Sequence, residues 1–192
     1  GPPGRRPLWR SLVDAAVFLV AATLVLAAAR QAGILPRTEQ TRAGQFIAVD
    51  GDSLRQGGQD YRLHAIDAPE LSQTCQRADG GDYPCGREAR AALARLIGSG
   101  ALACRIVDTD RYQRFVADCR AGTVNINDAM VRSGWAIAYR RHGRDYVSAE
   151  AEARRRRLGL WQGHFEMPED WRNARRMQLQ RGSLFGGALP DD

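Results

Sequence analysis

The sequence predicts an α+β domain, mainly β, preceded by an apolar N-terminal helix. Three observations carry this. Residues 45–66 alternate apolar and polar side chains around the pair Gly57-Gly58, the pattern of a β-hairpin. Residues 101–120 repeat the alternation around the turn D-T-D-R-Y-Q. Residues 86–97 and 144–158 instead space their apolar positions at helical intervals, with Ala89, Leu93, Leu96 and Ile97 in the first and Val147, Ala151 and Leu158 in the second.

In chain order, residues 1–10 form a basic flank with Arg5, Arg6 and Arg10. An apolar run from Leu12 to Ala29 follows, broken only by Asp14. A positive flank before an apolar run is an export signal, so residues 11–30 read as a signal peptide or a membrane anchor. Ala27-Ala28-Ala29 offers a small-residue cleavage site. The uncharged part is short against the ~20 residues of a full span, but with Asp14 reaching back to the interface the run also fits an uncleaved anchor, the reading we favour. Either way the remainder is expected on the periplasmic or extracellular face. Residues 31–42, polar and mixed with Pro36, read as a linker.

The domain proper is expected over residues 43–163. Strands are predicted at 45–49, 53–56 and 59–66, then a Gly- and Asp-rich loop at 71–85 and a helix at 86–97. A strand pair is expected at 101–107 and 114–120. A short helix at 125–132, capped from Thr123 or Asn125, is stopped by Gly134. A strand at 135–139 and a helix at 144–158, stopped by Gly159, close the domain. Three strands, a helix, two strands and closing helices are compatible with an OB-type barrel. Residues 164–192 read as a basic tail, partly disordered, with its last ten residues expected to lack order.

The 192 residues carry a net charge of +6 and a pI of about 9.7, and every one of the 28 basic residues is arginine. The positive balance fits a polyanionic partner without identifying one. The arginine run Arg154 to Arg157 reads as a solvated helix face, because a helix splays four consecutive residues around its axis.

The four cysteines are an even number in a chain with an export signal, which favours disulfides. Cys104 and Cys119 are symmetric about Arg111-Tyr112 and so face each other across the second hairpin; Cys75 and Cys85 would then close the Gly-rich loop. Zinc is the rival reading, but no C-x-x-C is present, and His64, His142 and His164 are scattered.

The stretch V-D-G-D-S-L…Y-R-L-H-A-I-D-A-P-E brings Asp50, Asp52, Arg62, Asp67 and Glu70 towards one end of a small sheet. Carboxylates gathered so closely repel unless a cation lies among them, and a hard, oxygen-preferring ion such as Ca²⁺ is the natural candidate. Taken singly, Arg62 reads equally as a salt bridge to Asp67, Arg114 as a solvated turn residue and Glu70 as a helix-capping acid.

With D-R-Y-Q-R-F-V-A further on, the whole pattern resembles the staphylococcal nuclease (thermonuclease) family, from about residue 44 to 161. The resemblance implies an OB-fold with a five-stranded barrel and about three helices. It implies a Ca²⁺-dependent nuclease acting on DNA, with RNA left open, and leaving 3′-phosphates. By motif, Asp52, Asp67 and the Ala68 backbone carbonyl match the metal site, and Asp50 lies behind them. Arg62 and Arg114 match the phosphate arginines, Glu70 the general base, and Arg111 and Tyr112 the positions that contact nucleotide phosphate. Two positions depart from the family pattern: Ala68 stands where Thr is common, and Gln113 where Gly is usual. The second matters more, since Gln lacks glycine's access to positive φ and the aim of Arg114 depends on that turn. The competing expectation is a non-catalytic OB module that binds nucleic acid or another anionic polymer outside the membrane. No protein partner is inferred.

Overall fold

A computed structural model describes residues 8–31 and 40–185. The chain divides into two units, residues 1–39 and 40–192. In the first, α1 (Leu8–Gln31) is a helix in which the large apolar side chains Val17 to Val20 and Leu24 to Leu26 are exposed. Among the described residues no helix is long and apolar enough to cross a membrane.

The second unit is a mixed α+β, OB-type fold with a curled sheet. Its strands are β1 (Gln40–Gly44), β2 (Ile47–Ala48), β3 (Ser53–Gln56), β4 (Gln59–Leu63), β5 (Ile66–Asp67), β6 (Cys75–Gln76), β7 (Asp82–Tyr83), β8 (Leu102–Thr109), β9 (Phe115–Ala121), β10 (Val124–Asn125) and β11 (Ile137–Ala138). The helices are α2 (Cys85–Ile97), α3 (Ile126–Arg132), α4 (Val147–Arg155) and α5 (Pro168–Phe185), with a 3-10 turn at Gly159–Gln162. The main sheet runs β1-β8-β9-β4-β3-β2, and β10 pairs with β9. β1 lies partly in the expected linker: its backbone pairs with β8, Gln40 opposite Ile106 and Gly44 opposite Leu102. Its polar sequence, Q-T-R-A-G, carries no alternation to announce it.

Local chemistry explains the boundaries. The β3–β4 hairpin turns on Gly57 and Gly58, with φ of 54° and 84°, the two positive values that a two-residue primed turn requires. Asn125 caps α3, its side chain accepting the Asp128 N–H at 3.0 Å. The core under the sheet is Leu54, Leu63, Ile66, Leu93, Leu102, Ile126, Met130 and Val131, all buried. A second cluster of Cys75, Tyr83, Cys85 and Leu160 sits under the Gly-rich loop. Both expected disulfides are present, Cys75–Cys85 and Cys104–Cys119.

Two features position the site. β4 runs parallel to β9, with Tyr61 opposite Phe115. This sets the Arg62 strand beside the strand that Arg114 leads into. Where a partly disordered basic tail was expected from residue 164, the described part forms α5. The expectation for the last ten residues falls mostly on residues outside those described.

Candidate active site

Asp52 and Arg62 are held by strand register. Asp52 immediately precedes β3, whose Ser53 pairs with Arg62 on β4, and the Leu63 N–H donates to the Asp52 carbonyl at 2.8 Å. Gly51 of the D-G-D motif is there for space: a Cβ at this position would lie 2.6 Å from the Ala68 Cβ and 2.8 Å from the Ala89 Cβ. That contact also suits the small side chain at Ala68. Asp67 is on β5, pinned opposite Ile137 of β11, and is fully buried.

The carboxylates converge. Asp52 Oδ2 accepts the Ala68 N–H at 3.0 Å, and Asp50 Oδ1 accepts the Asp52 N–H at 2.9 Å. Arg62 Nη2 donates to Asp67 Oδ1 at 2.8 Å and lies 3.1 Å from Asp52 Oδ2. Burial pushes the Asp50 carboxyl up to about 6, and the Asp52 charge adds to the effect. The Asp52 charge in turn raises the Arg62 guanidinium against burial, with Asp67 acting in the same direction. For Asp67 itself, burial and the Asp52 charge push upwards while hydrogen bonds and charge from Arg172 pull down.

Arg172, on α5, is the residue that sequence reasoning missed. Its Nη1 donates to Asp67 Oδ1 at 3.0 Å and to Glu70 Oε1 at 2.9 Å, and its Nη2 to Asp67 Oδ2 at 3.0 Å. Burial opposes its charge, but the bonds to Asp67 and Glu70 outweigh that and raise its pKa. Gln73, also missed, is buried and ties this corner together: its Oε1 accepts the Glu70 N–H at 3.3 Å and its Nε2 donates to the Glu166 carbonyl at 2.7 Å. The start of α5 was legible, with Pro168 at the first helical position and Glu169 and Asp170 in the first turn. Its partner, 105 residues away in sequence, was not.

On the opposite wall, Gln113 does adopt positive φ, 63°, so the turn keeps the geometry that glycine would give. Arg114 Nε donates to Asp110 Oδ2 at 2.8 Å, and its guanidinium lies 5.5 Å from the Tyr112 ring centre. Arg111 packs over the same ring at 4.8 Å, and Tyr112 is exposed. Asp50, Asp52, Arg62, Glu70, Arg111, Tyr112, Arg114 and Arg172 thus line one open cleft of about 1420 Å³. That exceeds the ~300–1,000 Å³ of ordinary small-molecule pockets and suits a polymer.

The donor chemistry at and behind its wall fits a hard cation: Asp52, the buried Asp67 and the Ala68 carbonyl supply oxygen alone. Yet among the described residues no three or more of His, Cys, Asp and Glu stand together as a ready metal cluster. Guanidiniums of Arg62 and Arg172 lie between the acids. His64 pairs instead with Asp118, and His164 makes a backbone bridge to Gln76.

The family model described as staphylococcal nuclease homologue matches residues 60–163. The chain belongs to the staphylococcal nuclease homologue family. It is 36% identical over 126 residues to the succinoglycan biosynthesis protein ExoI of Rhizobium meliloti (strain 1021), covering 64% of this chain and 66% of the relative. It is 33% identical over 139 residues to a "probable staphylococcal-like nuclease" of Oryza sativa subsp. japonica, covering 71% of this chain and 35% of the relative. An "uncharacterized endonuclease" of Haemophilus influenzae is 31% identical over 121 residues, 62% of each chain. The chain therefore spans about a third of the plant relative and two thirds or less of the bacterial two. α5, with Arg172, lies outside the matched residues.

Proposed function

We propose that the chain is an exported, Ca²⁺-dependent nuclease that hydrolyses phosphodiester bonds of DNA, with RNA as a further substrate to test. The observation that carries the reading is the convergence of Asp52, Glu70, Arg62 and Arg114 on one open cleft, with Asp67 buried behind it and bonded to Arg62. Asp52, Asp67 and the Ala68 carbonyl would hold the ion. A bound calcium supplies positive charge against phosphate oxygens that gain negative charge in the transition state. Glu70 takes the proton of the attacking water as the new P–O bond forms, and the 5′-oxygen leaves, so the product keeps a 3′-phosphate. Arg62 and Arg114 turn from their carboxylate partners to the pentavalent phosphorane. Arg111 and Tyr112, at the mouth, hold the adjoining phosphate. The arginine-flanked apolar segment and the two disulfides support export, to the periplasmic or extracellular face, by anchor or cleaved signal.

One observation favours a second reading, a non-catalytic module for an anionic polymer: Glu70 and both Asp67 oxygens already accept hydrogen bonds from guanidinium N–H groups. Cleavage rate and DNA affinity, measured side by side with Ca²⁺ or chelator, separate the two. Glu70→Gln should lower turnover by ~10²–10⁴-fold, the usual reach of a general base, while leaving DNA affinity nearly unchanged. Arg114→Ala should lower turnover by removing transition-state charge. DNA binding by the wild type with no cleavage in calcium would establish the binder instead. Wild-type cleavage by Glu70→Gln would remove Glu70 from the reaction.

A further inference from the structure

α5 is attached to the domain in an unusual way. Of its described side chains only Pro168 is buried; from Arg175 onward they are exposed. What holds it is polar: Gln73 on the Glu166 carbonyl at 2.7 Å, Arg141 on Glu169 at 2.9 Å, and the three hydrogen bonds of Arg172 to Asp67 and Glu70. An element held by few apolar contacts and several charge pairs belongs to the low-stability end of a fold and can open locally. Arg172 is also within reach of solvent, its side chain 29% exposed, although its partner Asp67 is wholly enclosed.

The place that Arg172 occupies is that of a cation. Its fork spans both oxygens of Asp67 and reaches Glu70, and Asp67 Oδ1 already receives a second N–H from Arg62 at 2.8 Å. A divalent ion would approach the same carboxylate to about 2.3–2.6 Å, and a guanidinium held on both its oxygens would oppose it by like charge. Glu70 is restrained too, because its Oε1 is held by the Arg172 N–H at 2.9 Å.

We propose that Arg172 is the resident counter-cation of this carboxylate cluster, and that α5 is a detachable arm whose docking and divalent-metal binding exclude one another. The inference rests on the calcium reading of the site. The arm sets the metal affinity of the chain and keeps Glu70 engaged until metal displaces it. Linkage makes the effect reciprocal: what Arg172 takes from metal affinity, metal takes from α5 docking.

The test uses the full chain and Ca²⁺ itself, by calorimetric titration of wild type, Arg172→Gln and Glu169→Gln. Hydrogen exchange of residues 168–181 is followed with and without the ion. Arg172→Gln should tighten Ca²⁺ binding by about 5–150-fold, the usual range for two events coupled through one site. Glu169→Gln loosens the arm without touching the carboxylate cluster and should tighten binding by a smaller factor. It keeps the test open if Arg172→Gln folds poorly. In wild type, Ca²⁺ should speed exchange across 168–181. Equal Ca²⁺ affinity in all three proteins, with unchanged exchange, would overturn the inference and leave the calcium reading standing. Weaker DNA binding by Arg172→Gln at unchanged Ca²⁺ affinity would make Arg172 a substrate contact and overturn it as well. If none of the three binds Ca²⁺ while wild type cleaves DNA in chelator, the calcium reading fails and the inference with it.

Discussion

Gln113 has its backbone in the left-handed region, where a side chain costs about 1–2 kcal/mol. The turn holds it there. Its N–H donates to the Asp110 carbonyl at 3.0 Å, and its own carbonyl accepts from Gln59 Nε2 at 3.0 Å. Both contacts are made by the Gln113 backbone, so glycine would keep them while losing the penalty. Glycine also gives back some of that gain through its freer unfolded chain. Gln113→Gly should therefore stabilise the domain by roughly 0.5–1 kcal/mol in a urea titration, with the cleft unaltered. A lower denaturation midpoint would mean that the glutamine side chain contributes something the turn geometry does not explain. The same residue answers the question raised by the sequence. The departure from glycine does not turn Arg114 away from the cleft, because Asp110 fixes that arginine directly.

At the scale of elements, the end of β4 is tied to β9 by His64 and Asp118. His64 Nδ1 lies 3.4 Å from Asp118 Oδ1, and Arg105 of β8 donates to Asp118 Oδ2 at 2.5 Å. Tyr146, at the start of α4, donates to Oδ1 at 3.4 Å. The hydrogen bond to Asp118 holds His64 above its ordinary pKa despite burial, and the charge of Asp145 helps. Burial would raise Asp118, but His64 and Arg105 outweigh it and hold the carboxyl below its ordinary range. The signs differ. The His64 contribution is complete below the unfolded value, ~6.5, and is lost as pH rises through the higher folded value. The Asp118 contribution is complete above its unfolded value, ~3.9, and is lost as pH falls through the lower folded value. The pair is thus most stabilising between about pH 4 and 6.5. His64→Gln should cost on the order of 1 kcal/mol near pH 5.5 and clearly less near pH 9, where the wild-type imidazole is neutral. Thermal melts of both proteins at the two pH values check it; a gap independent of pH would mean that His64 acts by packing.

For the molecule as a whole, the two disulfides and the polar attachment of α5 set what is rigid and what is free. Cys104 and Cys119 are direct partners across β8 and β9, closing a sequence separation of 15. A loop of that length is worth about 3 kcal/mol in the chain-entropy account, so reduction should lower the stability of the domain by about that much or more. Melting with and without reductant measures it, and an unchanged transition would show that strand pairing alone suffices. The sequence by itself determined what is decided between near neighbours. Gly57-Gly58 dictated a primed turn, Thr123 or Asn125 a helix cap, alternation the strands, and the symmetry of Cys104 and Cys119 a bridge. The linear order of Asp52, Arg62, Asp67, Glu70 and Arg114 likewise carried the family and the candidate site. Three things were decided only in the tertiary structure. β1 became a strand because β8 offered it an unpaired edge, not because Q-T-R-A-G favours one. Arg62 and Arg114 face the same cleft because β4 lies parallel to β9. Arg172 met Asp67 and Glu70 because the chain beyond the family domain folds back over its cleft. The physical reason is common to all three. Turns, caps and alternation are set by a few adjacent dihedrals and side chains, whereas strand edges and ion pairs are satisfied by whichever group the rest of the chain brings near. An arginine in a helix declares its charge in the sequence, but not the carboxylate that will receive it.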